Sequence, residues 1–414
     1  MYRDVDNRHG GSLSRKAVVA QLNDAVSLLD TCTYTEATGR EPFSEAPSET
    51  SSGRILSASH FAHRSAFAHR VGSHRASVAP DSLQHALQYC GLGGRTCNQS
   101  ASFNRPSGMP RPSPEPSSTP PLWPHCGHGA TPEARVGCCG IRVPGHSACL
   151  AHLADADRHA YLAGLAPGTN VDHRGTTFTG PLLDALLDAL YDPATGQPHL
   201  GDACFHSTTF QGNASFRSVA FAGDTSFQSA TCQSNAWFGS AMFHGTSDFA
   251  SASFEGDVTF DSAVFQGNPF EIEPGVNFSM ATFRGNAKFE SVTFGCPISF
   301  SSATFKRIAW FRSTTFYGTS DFELADFEGD AWFESATFRR DAQFESASFE
   351  GDAWFELADF EGNAWFESVT FQGDAQFKSA TFQGDAWFEL ADFEGNAWFE
   401  SVTFQGDAQF KSAT

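Results

Sequence analysis

Along the second half of the chain an apolar aromatic position returns at intervals that alternate between five and six residues. From Phe205 to Phe410 there are thirty-seven such positions, of which thirty-six are Phe and one is Cys232. One break occurs, an extra seven residues between Phe265 and Phe278. The residue two before each Phe is Ala or another small one, and polar residues separate the phrases. The unit is therefore eleven residues, as in Ala331-Trp332-Phe333-Glu334-Ser335 followed by Ala336-Thr337-Phe338-Arg339-Arg340-Asp341. A helical face needs a spacing near 3.6, and steps of five and six scatter the Phe around a helix. An extended small-x-Phe triplet instead puts the small residue and the Phe on one side and the middle residue on the other. Short strands and turns repeated at a fixed period predict a solenoid.

The volume of Phe sets the coil. Four Phe, one per face, make a ring that stacks on the next at the ~4.8 Å strand spacing, with Ala filling the gaps. Four faces are two elevens, which predicts twenty-two residues per coil, about nine coils and a rod of roughly 45 Å. Phe333, Phe338, Phe344 and Phe349 then share one ring, with Phe355 stacked on Phe333. The turns read Glu-Ser or Glu/Gln-Gly-Asp/Asn, and Gly362, Gly373, Gly384 and Gly395 are expected to supply the positive φ of tight corners.

These phrases resemble the pentapeptide-repeat proteins, in the Phe-centred, actinobacterial-type form with alternating five- and six-residue repeats. The resemblance covers about half the chain. It implies an all-β solenoid, a right-handed quadrilateral β-helix with a large residue at each centre and a small one two before it. Some members of that family bind DNA gyrase by imitating duplex DNA.

Charge is placed unevenly. Residues 1–120 total +2 and residues 121–200 and 201–320 total −3 each, whereas residues 321–414 carry 21 acidic and four basic side chains, net −17. No run of eighteen apolar residues and no apolar leader core occur, so neither a membrane span nor secretion is indicated and a cytoplasmic protein is expected. Ten irregularly spaced Cys do not form a secreted disulfide framework, and the cytosol would keep them reduced. Residues 1–122, rich in Ser, Pro, Thr, Arg and His, are expected to be mostly disordered or a linker, apart from one helix over residues 14–30. Residues 201–414 are the repeat.

Between them, residues 123–200 form the expected Cys- and His-containing helical cap. Cys126, His128, Cys138, Cys139, Cys149 and His152 fall within twenty-seven residues. Cys149 and His152 make a Cys-x-x-His at the start of a helix-like segment reaching Leu165. Zinc takes four such ligands, and Cys126, Cys138, Cys149 and His152 are the first choice, with His128 or Cys139 as substitutes. The alternative is a set of small buried or free thiols. Thr176-Thr177-Phe178 already fits the repeat phrase. Pro181 to Asp192 reads as an apolar helix suited to lie across the rod's first coil, whose Phe ring and strand edges would otherwise meet water.

At the other end the chain stops one residue before the next Phe is due, and residues 351–381 recur unchanged as 384–414. A fragment, or a last coil covered by a partner, is expected. On the rod, acids recur with the period instead of converging, His is absent after His244 and Cys after Cys296, so no enzyme is expected. Trp332 and Trp354, with Trp310 below, and Trp365 and Trp387 on the opposite face point outward as ladders or as contacts for a partner or a second rod. Glu334, Glu356 and Glu367 follow Phe residues, and Asp352 lies in a turn with other acids expected to face solvent. The functional expectation is a non-enzymatic interaction or scaffold rod binding protein and not nucleic acid directly. The alternatives are a DNA-mimicking rod that binds a DNA-handling enzyme such as gyrase, and a structural repeat without a dedicated partner.

Overall fold

Eleven residues with two corners leave room for two strands of about two residues each, and that is what forms. In the computed structural model, which describes residues 120–414, strands Ala331–Trp332, Thr337–Phe338, Ala342–Gln343 and Ser348–Phe349 occupy four successive faces. The next strand, Ala353–Trp354, then pairs in parallel with Ala331–Trp332, twenty-two residues earlier. The repetition builds four sheets of eleven, ten, nine and eleven strands, about ten coils. The helix expected over residues 14–30, and the segment expected to be disordered as far as residue 119, lie outside the described residues.

The tenth coil comes from the segment read as the cap. Val171–Asp172 pairs with Ala203–Cys204, Thr177–Thr179 with Thr209–Gln211, and Gln197–Leu200 through its last two residues with Ala220–Phe221. On the remaining face of this coil the chain forms a helix, α2 (Gly180–Ala189), preceded by the shorter α1 (Asp155–Ala163). Pro181 sits in the first turn of α2, where its missing N–H costs nothing. Leu183, Leu186 and Leu187 of α2 are buried, and the helix packs on Ala214–Ser215, the first strand of the nine-stranded sheet. It thus covers an edge that would otherwise offer unpaired backbone groups.

Inside, the Phe side chains are out of water and stacked by column. Phe333 and Phe355 lie 4.9 Å apart and 2° from parallel, Phe338 and Phe360 4.7 Å and 2°. The faces are not equivalent. Phe333 meets Phe344 across the axis edge to face, at 5.6 Å and 88°, and Phe344 meets Phe355 in the same way. Two opposite columns therefore interlock in a herringbone along the axis, the geometry that the ring quadrupole favours. The other two columns flank it, as Phe338 does at 6.2 Å from Phe333. Cys232 takes a Phe place between Phe210 and Phe254, and burial pushes its thiol up to about 12.

The corners differ from the sequence expectation. Positive φ falls on the five-residue corner, at Ser335, Ser346, Ser368 and their equivalents near 57°, and at Leu324, Leu357 and Leu390 at 58°. There the carbonyl of Phe333 accepts the N–H of Ala336 at 3.0 Å, closing a β-turn with Ser335 third. Gly362, Gly373, Gly384 and Gly395 have no positive φ among the described residues. Their reason is space, since a Cβ on Gly373 would lie 2.4 Å from the carbonyl oxygen of Gly351, one coil below.

The break between Phe265 and Phe278 is a loop, residues 266–275, that leaves Phe270 and Ile272 exposed. The two copies of the internal duplication are offset by thirty-three residues, one and a half coils, so each feature moves to the opposite face: Trp354 recurs as Trp387 on the far sheet.

Candidate metal centre and surface rows of the rod

The chain from Pro124 to Arg142 doubles back on itself. The N–H of Cys126 donates to the carbonyl of Gly140 at 2.8 Å, that of Gly127 to the carbonyl of Cys138 at 2.8 Å, and that of Cys138 to the carbonyl of His128 at 2.9 Å. Cys126 and Cys138 are thereby brought side by side. The expected helix from Cys149 to Leu165 is broken: a single 3-10 turn, Leu150–His152, is followed by extended Leu153 before α1 begins. That turn lets Cys149 and His152 face the doubled segment. The Sγ atoms of Cys138 and Cys149 are 3.7 Å apart, and the Nδ1 of His152 is 3.3 Å from the Sγ of Cys149 and 3.6 Å from that of Cys126. All four ligand atoms lie within 4.8 Å of one another. The hydrogen bond between the two thiols, with the nearby Gly140 N–H and His152, holds Cys138 down to about 5. The same bond and burial push Cys149 up.

The two substitutes stand outside. Cys139 directs its Sγ toward the carbonyl of Gly137 at 3.9 Å, and His128 stacks on the ring of His152 with centroids 4.1 Å apart.

On the rod, Trp332 and Trp354 are stacked at 4.6 Å and 1°, and Trp365 and Trp387 at 5.0 Å and 11° on the opposite sheet. All four are half-buried instead of exposed, each indole covering a face of its stacked partner. Trp310 is in register below Trp332, but the guanidinium of Arg312 sits over the Trp332 ring at 4.1 Å. Arg312 also pairs with Glu334 at 3.3 Å, and Lys378 stands one coil after Glu356. The Trp332 face is therefore electrostatically mixed. The other face is more uniform: Glu323, Glu345, Glu367 and Glu389 follow one another by coil beside Trp365 and Trp387, and Lys411 enters the column only one coil after Glu389. Burial, followed by Glu323 and Glu367 on either side, raises Glu345 above its ordinary value.

The turn acids do something the sequence did not show. An Oδ1 of Asp330 accepts the backbone N–H of Asp352 at 3.2 Å, Asp352 that of Asp374 at 2.9 Å, and Asp374 that of Asn396 at 3.0 Å. A second ladder runs through Asp341, Asn363, Asp385 and Asp407. Asp352 is half-buried and ties one coil to the next, so the expectation that these acids all face solvent is corrected. The N–H at the six-residue corner has no partner in its own coil, and a side-chain oxygen one coil back satisfies it.

The sequence matches the family described as pentapeptide repeats (9 copies) over residues 205–253, 291–337, 322–370 and 366–414, the stretches that form these coils. The rod is a pentapeptide-repeat solenoid. Two solved structures of trypsin-treated QnrB1, a plasmid-mediated fluoroquinolone resistance protein, match at 16% and 15% identity. They cover 49% of this chain and 90% and 91% of theirs, with TM-scores of 0.22 and 0.18. Likeness at that level says nothing about what this chain binds. No curated protein matches the chain.

One core residue of the pentapeptide-repeat rod escaped the sequence reading. Val171-Asp172-His173 is itself a small-x-centre phrase, five residues before Phe178, and His173 occupies the Phe place in the first coil. It is 1% exposed, packed against the rings of Tyr161, Phe178 and Phe205. The five-residue step to Phe178 was the signal. Among the described residues no helix is long and apolar enough to cross a membrane.

Proposed function

We propose that the chain is a non-enzymatic interaction rod, and that the face carrying Trp365 and Trp387 beside Glu345, Glu367 and Glu389 receives a basic protein surface. The observation that carries this reading is the combination on that face of a stacked aromatic pair with a row of like charge. Aromatic side chains are enriched at protein interfaces, and a row of one sign selects a partner of the other. A second copy of the same face would set acid against acid, which disfavours a homodimer there. A non-enzymatic role is supported by the periodicity of the carboxylates, which gives them similar environments, whereas acid–base catalysis needs two that differ.

Imitation of duplex DNA toward a DNA-handling enzyme is the narrower form of this reading. The acidic row supports it, with one carboxylate per coil at ~4.8 Å against ~3.4 Å per phosphate on a DNA strand. Against it stand the ion pairs Arg312–Glu334 and Arg339–Glu361 and the turn acids already engaged in coil-to-coil bonds. The broader reading is preferred. The test is retention of proteins from native lysate on the immobilised full chain, on Trp365→Ser/Trp387→Ser and on Glu345→Gln/Glu367→Gln. A partner released by salt and lost on both variants supports the reading, and equal retention on all three removes it. Release of that partner by duplex DNA, or inhibition of gyrase supercoiling by the wild-type chain alone, selects the narrower form.

A further inference from the structure

We propose that Cys126, Cys138, Cys149 and His152 hold one structural zinc ion that pins the start of the described chain onto the first coil of the rod. This rests on a different part of the molecule from the interaction face and stands or falls without it.

The geometry fits a tetrahedral three-sulfur, one-nitrogen centre. Bonds of ~2.3 Å to sulfur and ~2.0 Å to nitrogen imply sulfur–sulfur edges of about 3.8 Å and sulfur–nitrogen edges of about 3.5 Å. Three edges stand at 3.7, 3.3 and 3.6 Å. With the full set inside 4.8 Å, the remaining edges need to close by at most about an ångström. The surroundings are also those of a metal-bound thiolate. The Gly140 N–H points at the Sγ of Cys138 from 3.4 Å, the kind of outer contact that orients a ligand. Gly140 itself is required there, because a Cβ would lie 2.9 Å from the Sγ of Cys149.

The second reason is energetic. Between residues 120 and 153 the buried apolar side chains are Val143, Cys149, Leu150 and Leu153, too few to hold some thirty residues that have almost no regular structure. Segments this small are usually ordered by disulfides or a metal. The thiols here are unbonded, and four ligands drawn from two separate stretches, residues 126–138 and 149–152, would supply the missing restraint. The pinned segment reaches the rod directly. The indole N–H of Trp123 donates to the carbonyl of Cys139 at 2.8 Å, its ring meets His206 edge-on at 5.7 Å, and Ile141 donates to the carbonyl of Arg174 at 2.8 Å. Metal binding would release the thiol protons and close the N-terminal end of the solenoid.

The test is metal analysis of the full chain purified without chelator, alongside Cys126→Ser, His152→Ala, Cys139→Ser and His128→Ala. About one equivalent of zinc is expected in the wild type, Cys139→Ser and His128→Ala, with at least a fivefold loss in Cys126→Ser and His152→Ala. Because the last two variants could lose their fold, cobalt exchanged into the wild type gives an independent reading: the visible bands of a tetrahedral cobalt site with thiolate charge transfer. Wild-type protein with less than about a tenth of an equivalent of zinc after reconstitution, octahedral cobalt spectra, or zinc lost equally in Cys139→Ser, would overturn the assignment. So would a Cys138–Cys149 disulfide in protein kept under reducing buffer.

Discussion

Replacing His173 by Phe tests the core of the rod where it departs from its own rule. Every other centre on its column carries Phe, whereas His173 is 1% exposed with both ring nitrogens lacking a hydrogen-bond partner. Burial holds its imidazole down at about 4, against an ordinary value of 6.5, with Asp172 opposing weakly. The folded state therefore disfavours the charged form. The site makes no pH-dependent difference well above pH 6.5, where folded and unfolded chains are both neutral there, and stability is lost as the pH falls through 6.5 toward 4 because the unfolded chain takes up the proton first. The gap corresponds to roughly 3 kcal/mol once protonation is complete, of which about 2.5 kcal/mol is gone by pH 4.5. His173→Phe should abolish that acid-dependent share. It should also stabilise the first coil at pH 7.5 by about 1–3 kcal/mol, since a buried orphaned nitrogen is removed and a ring of the repeat's own kind enters. Solenoids unfold in parts, so the assay is hydrogen exchange of the amides of residues 171, 173 and 175, which bond to the next coil, between pH 4.5 and 7.5 in both proteins, corrected for intrinsic exchange. Carboxylates titrate in the same range but are common to both, and the difference isolates residue 173. An acid loss of protection that is the same in the two proteins would refute the reasoning.

Phe344→Ala removes a ring stacked on Phe322 and Phe366 at 4.8 and 4.9 Å and should cost ~3–5 kcal/mol locally, read as a lowered urea midpoint; an unchanged midpoint would show that the column is not what holds the coils. Gly373→Ala should destabilise more than Ser368→Ala, because its Cβ meets the Gly351 carbonyl at 2.4 Å, while Ser368→Gly at φ 57° should stabilise by ~1 kcal/mol; the reverse order in thermal melts would restore the corner to glycine. Asp352→Asn should keep stability, since Asn363 already serves in the neighbouring ladder, and Asp352→Ala should lose about 1–2 kcal/mol; equal melts for the three proteins would mean that the ladder contributes nothing.

What the sequence determines by itself is whatever repeats locally. The five-six rhythm of Phe forces a coil of twenty-two residues with four faces, because side-chain direction alternates along a strand and the large residues must converge. The same alternation tells that Trp332 and Trp365 point away from the axis, and the Leu pattern after Pro181 specifies a helix that must lie on something apolar. The four residues proposed as zinc ligands are also legible, since Cys and His gathered in twenty-seven residues are chemically unusual, although their convergence depends on the break at Leu153 that no pattern announces. The tertiary structure decides everything that passes from one coil to the next. Glycine at 373 answers to the carbonyl of Gly351, the carboxylate of Asp352 to the N–H of Asp374, and Arg312 to the ring of Trp332. These partners are about twenty-two residues apart and meet only after the chain has wound once around, so a turn read alone suggests positive φ and solvent where the stack requires clearance and a hydrogen bond. His173 shows the same limit, since what places it in the core is the strand of the next coil, Ala203–Cys204, paired beside it.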